Sequence, residues 1–119
     1  MKTERKQLVD KLDKQWSLRV REVCQCELCD RRGDIGSFDA HHLRGRGNFS
    51  TRWDLSNGVC LCKGCHRFKV HMDTFTVAIL VERLKKSRGK TWYPNLVKRS
   101  NKLAKYSIQD LRDLLEEYD

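Results

Sequence analysis

Apolar residues recur at intervals of four near the start of the chain, and most positions between them are charged. An α-helix that buries one stripe of side chains on a core and exposes the rest to water has this pattern. It predicts an amphipathic helix over residues 3–22. The positions that define its apolar stripe are Leu8, Leu12, Trp16 and Val20.

The middle of the chain changes from this helical periodicity to short apolar runs separated by a polar stretch. We predict a first short strand over residues 37–43, a loop over 44–57 and a second strand over 58–61. A helix is expected to begin at the second cysteine pair and to end near Met72. The predicted core unit is therefore strand, loop, strand and helix.

Three further helices are predicted after this unit. Residues 74–87 have an apolar middle and a basic end, and Gly89 is a suitable stop. Pro94 suits the first turn of the next helix. The apolar positions behind Pro94 are Leu96, Val97 and Leu103. Ser107 and Asp110 match the loose form of a capping box, which predicts the start of a last helix.

These elements together predict an α+β fold, mostly helical, in a single domain over residues 1–119. Its parts are an N-terminal helix (1–22), a core unit (23–73) and a C-terminal helical extension (74–119). No apolar run approaches the roughly 18–20 residues that a membrane-spanning helix needs. The charged N-terminus leads into no apolar segment of the signal-peptide kind. We therefore expect a cytoplasmic protein with no membrane partner.

The chain is strongly basic, with 25 lysines and arginines, 16 aspartates and glutamates, and a formal net charge of +9. Small basic proteins are attracted to nucleic acid, because contacts with phosphates release counterions. Basic residues are concentrated in the segment 83–105, which is a candidate DNA-tracking surface. The alternative is that these charges lie on a solvated helix face.

Two Cys-x-x-Cys units, Cys26–Cys29 and Cys62–Cys65, are the most specific motifs in the chain. In a reducing compartment this spacing favours a metal site over a disulfide. Two such turns present four thiolates and predict a closed, tetrahedral structural zinc site. The long interval between the units suggests that the zinc brackets an inserted element. Cys24 and Cys60 are interpreted as small buried core residues, with an exchange of Cys24 for Cys26 as a zinc ligand as the lesser option.

The inserted element and its C-terminal flank contain all four histidines of the chain, together with a candidate asparagine, Asn57. The histidines are His41, His42, His66 and His71. Phosphodiester hydrolysis needs a base that deprotonates water, a cation beside the phosphate, and a group that holds the base in the right tautomer. This stretch supplies one residue type for each of these tasks.

These residues resemble the HNH endonucleases that carry a four-cysteine zinc. The resemblance rests on residues 39–43 (DAHHL) and 57–66 (NGVCLCKGCH), and it covers roughly residues 14–76. Residues 48–66 are also similar to small phage-encoded HNH and NinG-like recombination nucleases. The family implies a ββα-metal finger and a divalent-metal-dependent DNA endonuclease that leaves 5′-phosphate and 3′-hydroxyl ends. It further implies a role in phage DNA recombination or processing inside a bacterial host cell.

The resemblance also implies a role for each motif residue. His42 would be the general base that activates water, and Asn57 would fix it through its backbone or ring. His41 and His66 would bind the catalytic divalent cation, for which Mg²⁺, Mn²⁺, Ni²⁺ and Zn²⁺ are candidates. Some family members place a third ligand one helical turn after the position of His66, and that position here is Val70.

The predicted elements raise three questions of placement. Adjacent side chains of a strand face opposite ways, so His41 and His42 can serve one site only if the strand ends or bends there. His71 follows His66 by five residues, which is a poor alignment on an α-helix. It is therefore either an additional metal ligand or a helix-end or DNA-facing histidine. Asp39 shares a strand face with His41. It is either a hydrogen-bonding partner of the metal ligands or a solvated carboxylate.

The predicted loop carries three arginines and two glycines: Arg44, Arg46, Arg52, Gly45 and Gly47. Arginine forks match phosphate oxygens, and glycine permits close approach of the backbone to a ligand. The arginines are therefore candidate DNA contacts. The alternatives are a solvated loop and an Arg52–Asp54 pair that shapes it. Trp53 is expected in the core.

Two other classes of protein fit part of the pattern. A non-catalytic zinc module that binds nucleic acid would have the cysteines and the basic charge, but it has no need for the histidines and Asn57. A thiol redox protein would have the Cys-x-x-Cys units, but the flanking sequence does not predict the βαβ unit of thioredoxin-like proteins. The endonuclease is the leading interpretation.

Overall fold

A computed structural model describes residues 1–71 and 73–118 as a mostly helical α+β fold around an antiparallel hairpin. In chain order the elements are α1 (Glu4–Arg21), β1 (Phe38–His42), β2 (Gly58–Cys62), α2 (Thr74–Arg88), α3 (Trp92–Ser100) and α4 (Ile108–Tyr118). A π-helical segment, Cys65–Val70, connects β2 to α2. The predicted end of this segment at Met72 lies outside the described residues.

Local chemistry explains where the helices begin and end. Thr3 Oγ1 accepts a hydrogen bond from the Lys6 amide at 3.1 Å and caps α1. Gly89 ends α2 with a φ of 92°, a left-handed conformation that costs glycine little. The Ser107 amide donates to the Asp110 carboxylate at 2.9 Å, and the Asp110 amide donates to Ser107 Oγ at 3.0 Å. The predicted helix stop and capping box are both confirmed.

The hairpin is covered closely by α1. β1 and β2 pair with Phe38 opposite Cys62 and His42 opposite Gly58, and all five residues of β2 are buried. A Cβ added at Gly58 would overlap the side chain of Val20 and lie within 3.0 Å of Trp16. Glycine at this position therefore lets α1 lie directly against the end of the hairpin.

Two buried clusters hold the fold together. The first joins the hairpin to α2 and α3, and its largest members are Phe38, Leu61, Leu80, Leu84, Trp92 and Leu96. The second joins α1 to α4 and to the loop between the strands, and it contains Leu8, Leu12, Trp16, Trp53 and Leu111. Among the described residues, no helix is both long and apolar enough to cross a membrane.

Several expectations about single residues can be compared with this core. Trp53 and Cys60 are buried, as predicted. Cys24 is only half-buried and has a left-handed φ of 53°. The prediction that Leu103 belongs to an apolar helix face is wrong, because α3 ends at Ser100 and Leu103 is fully exposed beyond it.

Candidate functional site

Four thiols from the two Cys-x-x-Cys units meet beside the hairpin. The Sγ atoms of Cys26, Cys29, Cys62 and Cys65 all lie within 4.8 Å of one another, and those of Cys29 and Cys62 are 3.8 Å apart. Sulfur atoms about 2.3 Å from a tetrahedral zinc ion are separated from each other by about 3.8 Å. The spacing therefore fits a four-thiolate site that could bind a metal such as zinc.

The surrounding backbone favours the thiolate form of Cys26, whereas burial raises the pKa of Cys29 and of Cys65. The Cys65 amide donates to Cys62 Sγ at 3.4 Å. Burial acts to raise the pKa of Cys26, but hydrogen bonds from the backbone at Cys62, Cys29 and Leu28 outweigh it and lower the pKa to about 7. Burial instead raises the pKa of Cys60 to about 11, which keeps that residue a neutral thiol in the core.

A second cluster is formed by His41 of β1 with His66 and His71. One ring nitrogen from each lies within 4.8 Å of the other two, and the Nε2 atoms of His66 and His71 are 2.9 Å apart. Burial, followed by the charges of the neighbouring histidines, lowers the pKa of His41 to about 4. The His41 ring is therefore neutral at pH 7. Three converging imidazole nitrogens are a suitable ligand set for a divalent transition metal.

Asp39 orients one of these rings. His66 Nδ1 donates to Asp39 Oδ2 at 2.8 Å, so Nε2 is the nitrogen that remains for a cation. The Lys63 ammonium donates to the other carboxylate oxygen. Burial acts to raise the pKa of Asp39, but the hydrogen bonds from Lys63 and His66 outweigh it and lower the pKa. Asp39 is thus an ionised partner of a histidine, and not a solvated carboxylate.

The π-helical backbone accounts for the position of His71. On an α-helix, residues five apart differ in direction by about 140°. A π-helix has a wider turn, which aligns residue i with residue i+5. His71 therefore lies beside His66, and the expected poor alignment is wrong because it assumed α-helical geometry. Val70, the alternative position, is 5% exposed and packs in the first core cluster.

His42 projects from the opposite face of β1, towards α1. Its ring stacks on Trp16, with ring centroids 3.8 Å apart and an interplanar angle of 10°. His42 Nε2 lies 2.9 Å from the carbonyl oxygen of Arg52. Since a carbonyl can only accept, Nε2 carries the proton, and Nδ1 of the neutral ring is left without one. Burial lowers the pKa of His42 and favours this neutral form.

The two faces of β1 open onto a single cleft of about 460 Å³. β1 ends at His42 and lies at the edge of a two-stranded sheet, so side chains from both faces reach the same space. The condition for the adjacent histidines to serve one site is therefore met. The residues that line the cleft are Asp13, Ser17, Ala40, His41, His42, Gly45, Arg46, His66 and His71.

Asn57 is fully buried and closes the loop between the strands. Its Oδ1 accepts the Arg44 amide at 2.7 Å, and its Nδ2 donates to the carbonyls of Arg44 and Thr51 at 2.9 and 3.1 Å. These bonds go to the loop backbone and not to the ring of His42. Asn57 therefore fixes the loop that supplies the Arg52 carbonyl, and its influence on His42 is indirect.

Arg52 points into the protein. Its side chain is 10% exposed, and Nε and Nη2 donate to the Asp13 carboxylate at 3.0 and 2.7 Å. The expected Arg52–Asp54 pair is wrong, because Asp13 of α1 binds the guanidinium while Asp54 pairs with Arg99 at 2.7 Å. This ion pair occupies the Arg52 guanidinium, so Arg52 is less available for a DNA contact than the other two loop arginines.

The other two loop arginines differ from Arg52 in exposure. Arg44 is exposed. Arg46 lines the cleft, its side chain is 66% exposed, and Nη2 lies 3.2 Å from Asp13. Both side chains therefore remain accessible to a ligand from solvent.

The basic segment 83–105 is partly used within the protein. Arg83 pairs with Asp30 at 2.9 Å, and Arg88 pairs with Glu27 at 3.0 Å and also donates to the carbonyl of Gly58 at 2.7 Å. These arginines join α2 to the cysteine-rich segment and the hairpin. The exposed lysines are what remains of the predicted DNA-tracking surface: Lys86, Lys90, Lys98, Lys102 and Lys105.

Two residues of α1 that position the site were missed by sequence reasoning. Asp13 anchors Arg52, and its Oδ1 also accepts a hydrogen bond from the indole Nε1 of Trp53 at 2.8 Å. Trp16 stacks on His42 and donates its Nε1 to the Asp54 carbonyl at 2.9 Å. The available signal was the place of Asp13 beside the apolar stripe, where a carboxylate needs a hydrogen-bonding partner.

Comparisons of the chain with known protein families, with characterised proteins and with solved structures give no match.

Proposed function

We propose that the protein is a divalent-metal-dependent DNA endonuclease of the HNH type, with a ββα-metal finger held by a structural zinc. The observation that carries the proposal is the shared cleft. One side of it holds three converging histidine nitrogens, and the other holds His42 with its Nε2 proton fixed by a carbonyl. A neutral base beside a cation site is what hydrolysis of a phosphodiester requires.

In this proposal His42 Nδ1 accepts a proton from a water molecule in the cleft. The water oxygen attacks phosphorus, the bond from phosphorus to the 3′ oxygen breaks, and that oxygen leaves and takes a proton from solvent. The products are a 5′-phosphate and a 3′-hydroxyl. The stack on Trp16 and the bond to the Arg52 carbonyl hold the His42 ring in place during the proton transfer.

The second half of the cleft would hold the cation. His41, His66 and His71 are the candidate ligands, and Asp39 keeps His66 Nε2 directed at the site. A bound divalent cation supplies positive charge beside the phosphate and the leaving oxygen. Arg46, which also lines the cleft, can neutralise a neighbouring phosphate.

A plasmid-nicking assay with Mg²⁺, Mn²⁺ or Ni²⁺ tests the proposal. Wild-type protein should relax supercoiled DNA with at least one of these metals, and His42→Ala should be slower by about 10²-fold or more. His66→Ala should need a higher metal concentration for cleavage, because it removes one candidate ligand of the cation. Bound zinc and circular dichroism, measured on each variant, check that the fold is retained.

His42→Gln is a sharper control. Its amide can still donate to the Arg52 carbonyl, but it has no basic nitrogen. It should therefore be as inactive as His42→Ala while keeping more of the wild-type stability than His42→Ala does, although it loses the ring that stacks on Trp16. Cleavage by His42→Ala at the wild-type rate, or no cleavage by the wild type with any of the three metals, would refute the assignment.

A further inference from the structure

A second cleft, of about 500 Å³, continues the first along the surface. The two share four lining residues, and each also has its own. The shared residues are Ser17, Ala40, His66 and His71. Together the clefts form one open groove that passes over the histidine cluster. Arg46 lies at one end, and the other end is lined by Arg21, Lys63 and Arg67.

The far end of the groove is cationic and ordered. Arg21 donates through Nε to Ser17 Oγ at 3.0 Å and through Nη1 to the carbonyl of Ile35 at 3.3 Å. Lys63 is held by Asp39, the carboxylate that orients His66. Three cations and one carboxylate, Asp39, line this end of the groove, so it has a surplus of positive charge.

Arg67 differs from the other two cations because it is exposed and directly follows a member of the histidine cluster. Within residues 1–71 and 73–118, no carboxylate pairs with it. Several basic residues of α2 and α3 are by contrast held in ion pairs. A groove-lining arginine without an internal partner is suited to bind an anion from solvent.

We propose that Arg21, Lys63 and Arg67 form a second phosphate subsite, which binds the backbone of the DNA strand next to the phosphate at the histidine cluster. The inference rests on the proposed function, since it takes the groove as the path of a nucleic-acid strand. That strand would be anchored by Arg46 on one side of the histidines and by this subsite on the other. Contacts with phosphates carry no sequence information, so the subsite adds affinity without sequence preference.

The salt dependence of DNA binding tests the subsite. A fluorescently labelled DNA duplex is titrated with the zinc-loaded protein, without added divalent metal, between about 50 and 200 mM salt. His42→Ala serves as the parent so that no cleavage occurs. Loss of one phosphate contact should reduce the slope of log K against log salt by about 0.9. We expect that reduction for Arg67→Gln.

Two further variants control for charge and fold. Lys11→Gln removes one positive charge from an exposed lysine of α1 that lies outside the groove, and it should leave the slope unchanged. Arg67→Lys keeps the charge and should retain most of the slope. Bound zinc, measured for each variant, shows whether the neighbouring thiolates remain assembled.

A slope for Arg67→Gln equal to that of Lys11→Gln would overturn the subsite. This outcome is distinguishable from failure of the proposed function, which is measured by cleavage. A wild type that nicks plasmid while Arg67→Gln keeps its slope refutes the subsite alone. If the wild type fails to cleave with any of the three metals while Arg67→Gln shows a reduced slope, the nuclease is refuted and the subsite is supported.

Discussion

Replacement of Asp13 by alanine tests whether α1 positions the loop that holds His42. The carboxylate accepts bonds from Arg52 at 3.0 and 2.7 Å and from the Trp53 indole at 2.8 Å. The Arg52 carbonyl in turn accepts from His42. Truncation of Asp13 leaves a guanidinium that is 10% exposed without its anionic partner.

The magnitude follows from the burial of the pair. Removal of one partner of a buried ion pair costs about 3–5 kcal/mol, because the other charge remains desolvated. The Asp13 side chain is 25% exposed, so solvent reduces the effect, and we expect about 3 kcal/mol. Asp13→Ala/Arg52→Met should recover part of this loss, because it leaves no unpaired charge inside the protein.

The pH dependence of the same pair has a definite sign. Burial acts to raise the pKa of Asp13, but hydrogen bonds from Arg52 and Trp53 and the charges of Arg52 and Arg46 outweigh it and lower the pKa below 3.8. A carboxyl with a depressed folded-state pKa stabilises the fold above its unfolded pKa and loses this contribution as pH falls through the folded value. The stability difference between wild type and Asp13→Ala should therefore be full at neutral pH and shrink below pH 3.8.

Urea unfolding followed by tryptophan fluorescence measures these differences. With an m value of about 1–3 kcal/mol/M, the midpoint should fall by about 1 M or more. Asp10→Ala is the matched control on the same helix. Asp10 pairs with the exposed Lys2 and Lys6, so its loss should change the midpoint little. The reasoning is refuted if Asp13→Ala shifts the midpoint no more than Asp10→Ala does, or if Arg52→Met recovers nothing.

Three further predictions concern the hairpin, the thiolates and the histidine cluster. Gly58→Ala should destabilise the fold by about 1–3 kcal/mol in thermal unfolding, because its Cβ overlaps α1, while Gly47→Ala, with open space around its Cα, should not. Equal melting temperatures of Gly58→Ala and Gly47→Ala would contradict this prediction. Cys26→Ser should lose bound zinc in metal analysis and Cys24→Ser should keep it; zinc retained by both would contradict the four-thiolate site. Asp39→Asn should weaken divalent-cation binding to the histidine cluster by about 10–100-fold in calorimetry, and unchanged affinity would count against its orienting role.

Most of the fold was predictable because its signals are local. The apolar stripe of α1, the left-handed Gly89 after α2 and the Ser107–Asp110 capping box depend on residues within a few positions of each other. The hairpin was predictable from two short apolar runs on either side of a polar loop. Leu103 shows the limit of this reasoning, because it was counted among the apolar positions of the helix around Pro94 although that helix ends at Ser100.

The candidate site was predictable in its residue types and less so in its geometry. The clustering of the cysteines follows from a spacing rule, and the structure brings the four thiols together. The position of His71 depended on the helix type, and π-helical backbone has no sequence signature that the periodicity could show. The partner of Arg52 depended on which acidic residue lay nearby in space, and Asp13 is distant in sequence.

The segment Cys62–His66 contributes side chains to both the four-thiol cluster and the histidine cluster. Cys62 and Cys65 supply half of the thiolates, and His66 begins the histidine cluster at the next residue. Lys63, between the cysteines, binds the carboxylate that orients His66. A chain of this size buries a limited core, so an exposed turn needs an additional constraint to hold a ring within the tolerance that a metal site demands. A metal on the four thiols would supply that constraint at the residue before His66. The π-helical turn Cys65–Val70 then fixes the position of His71 relative to His66.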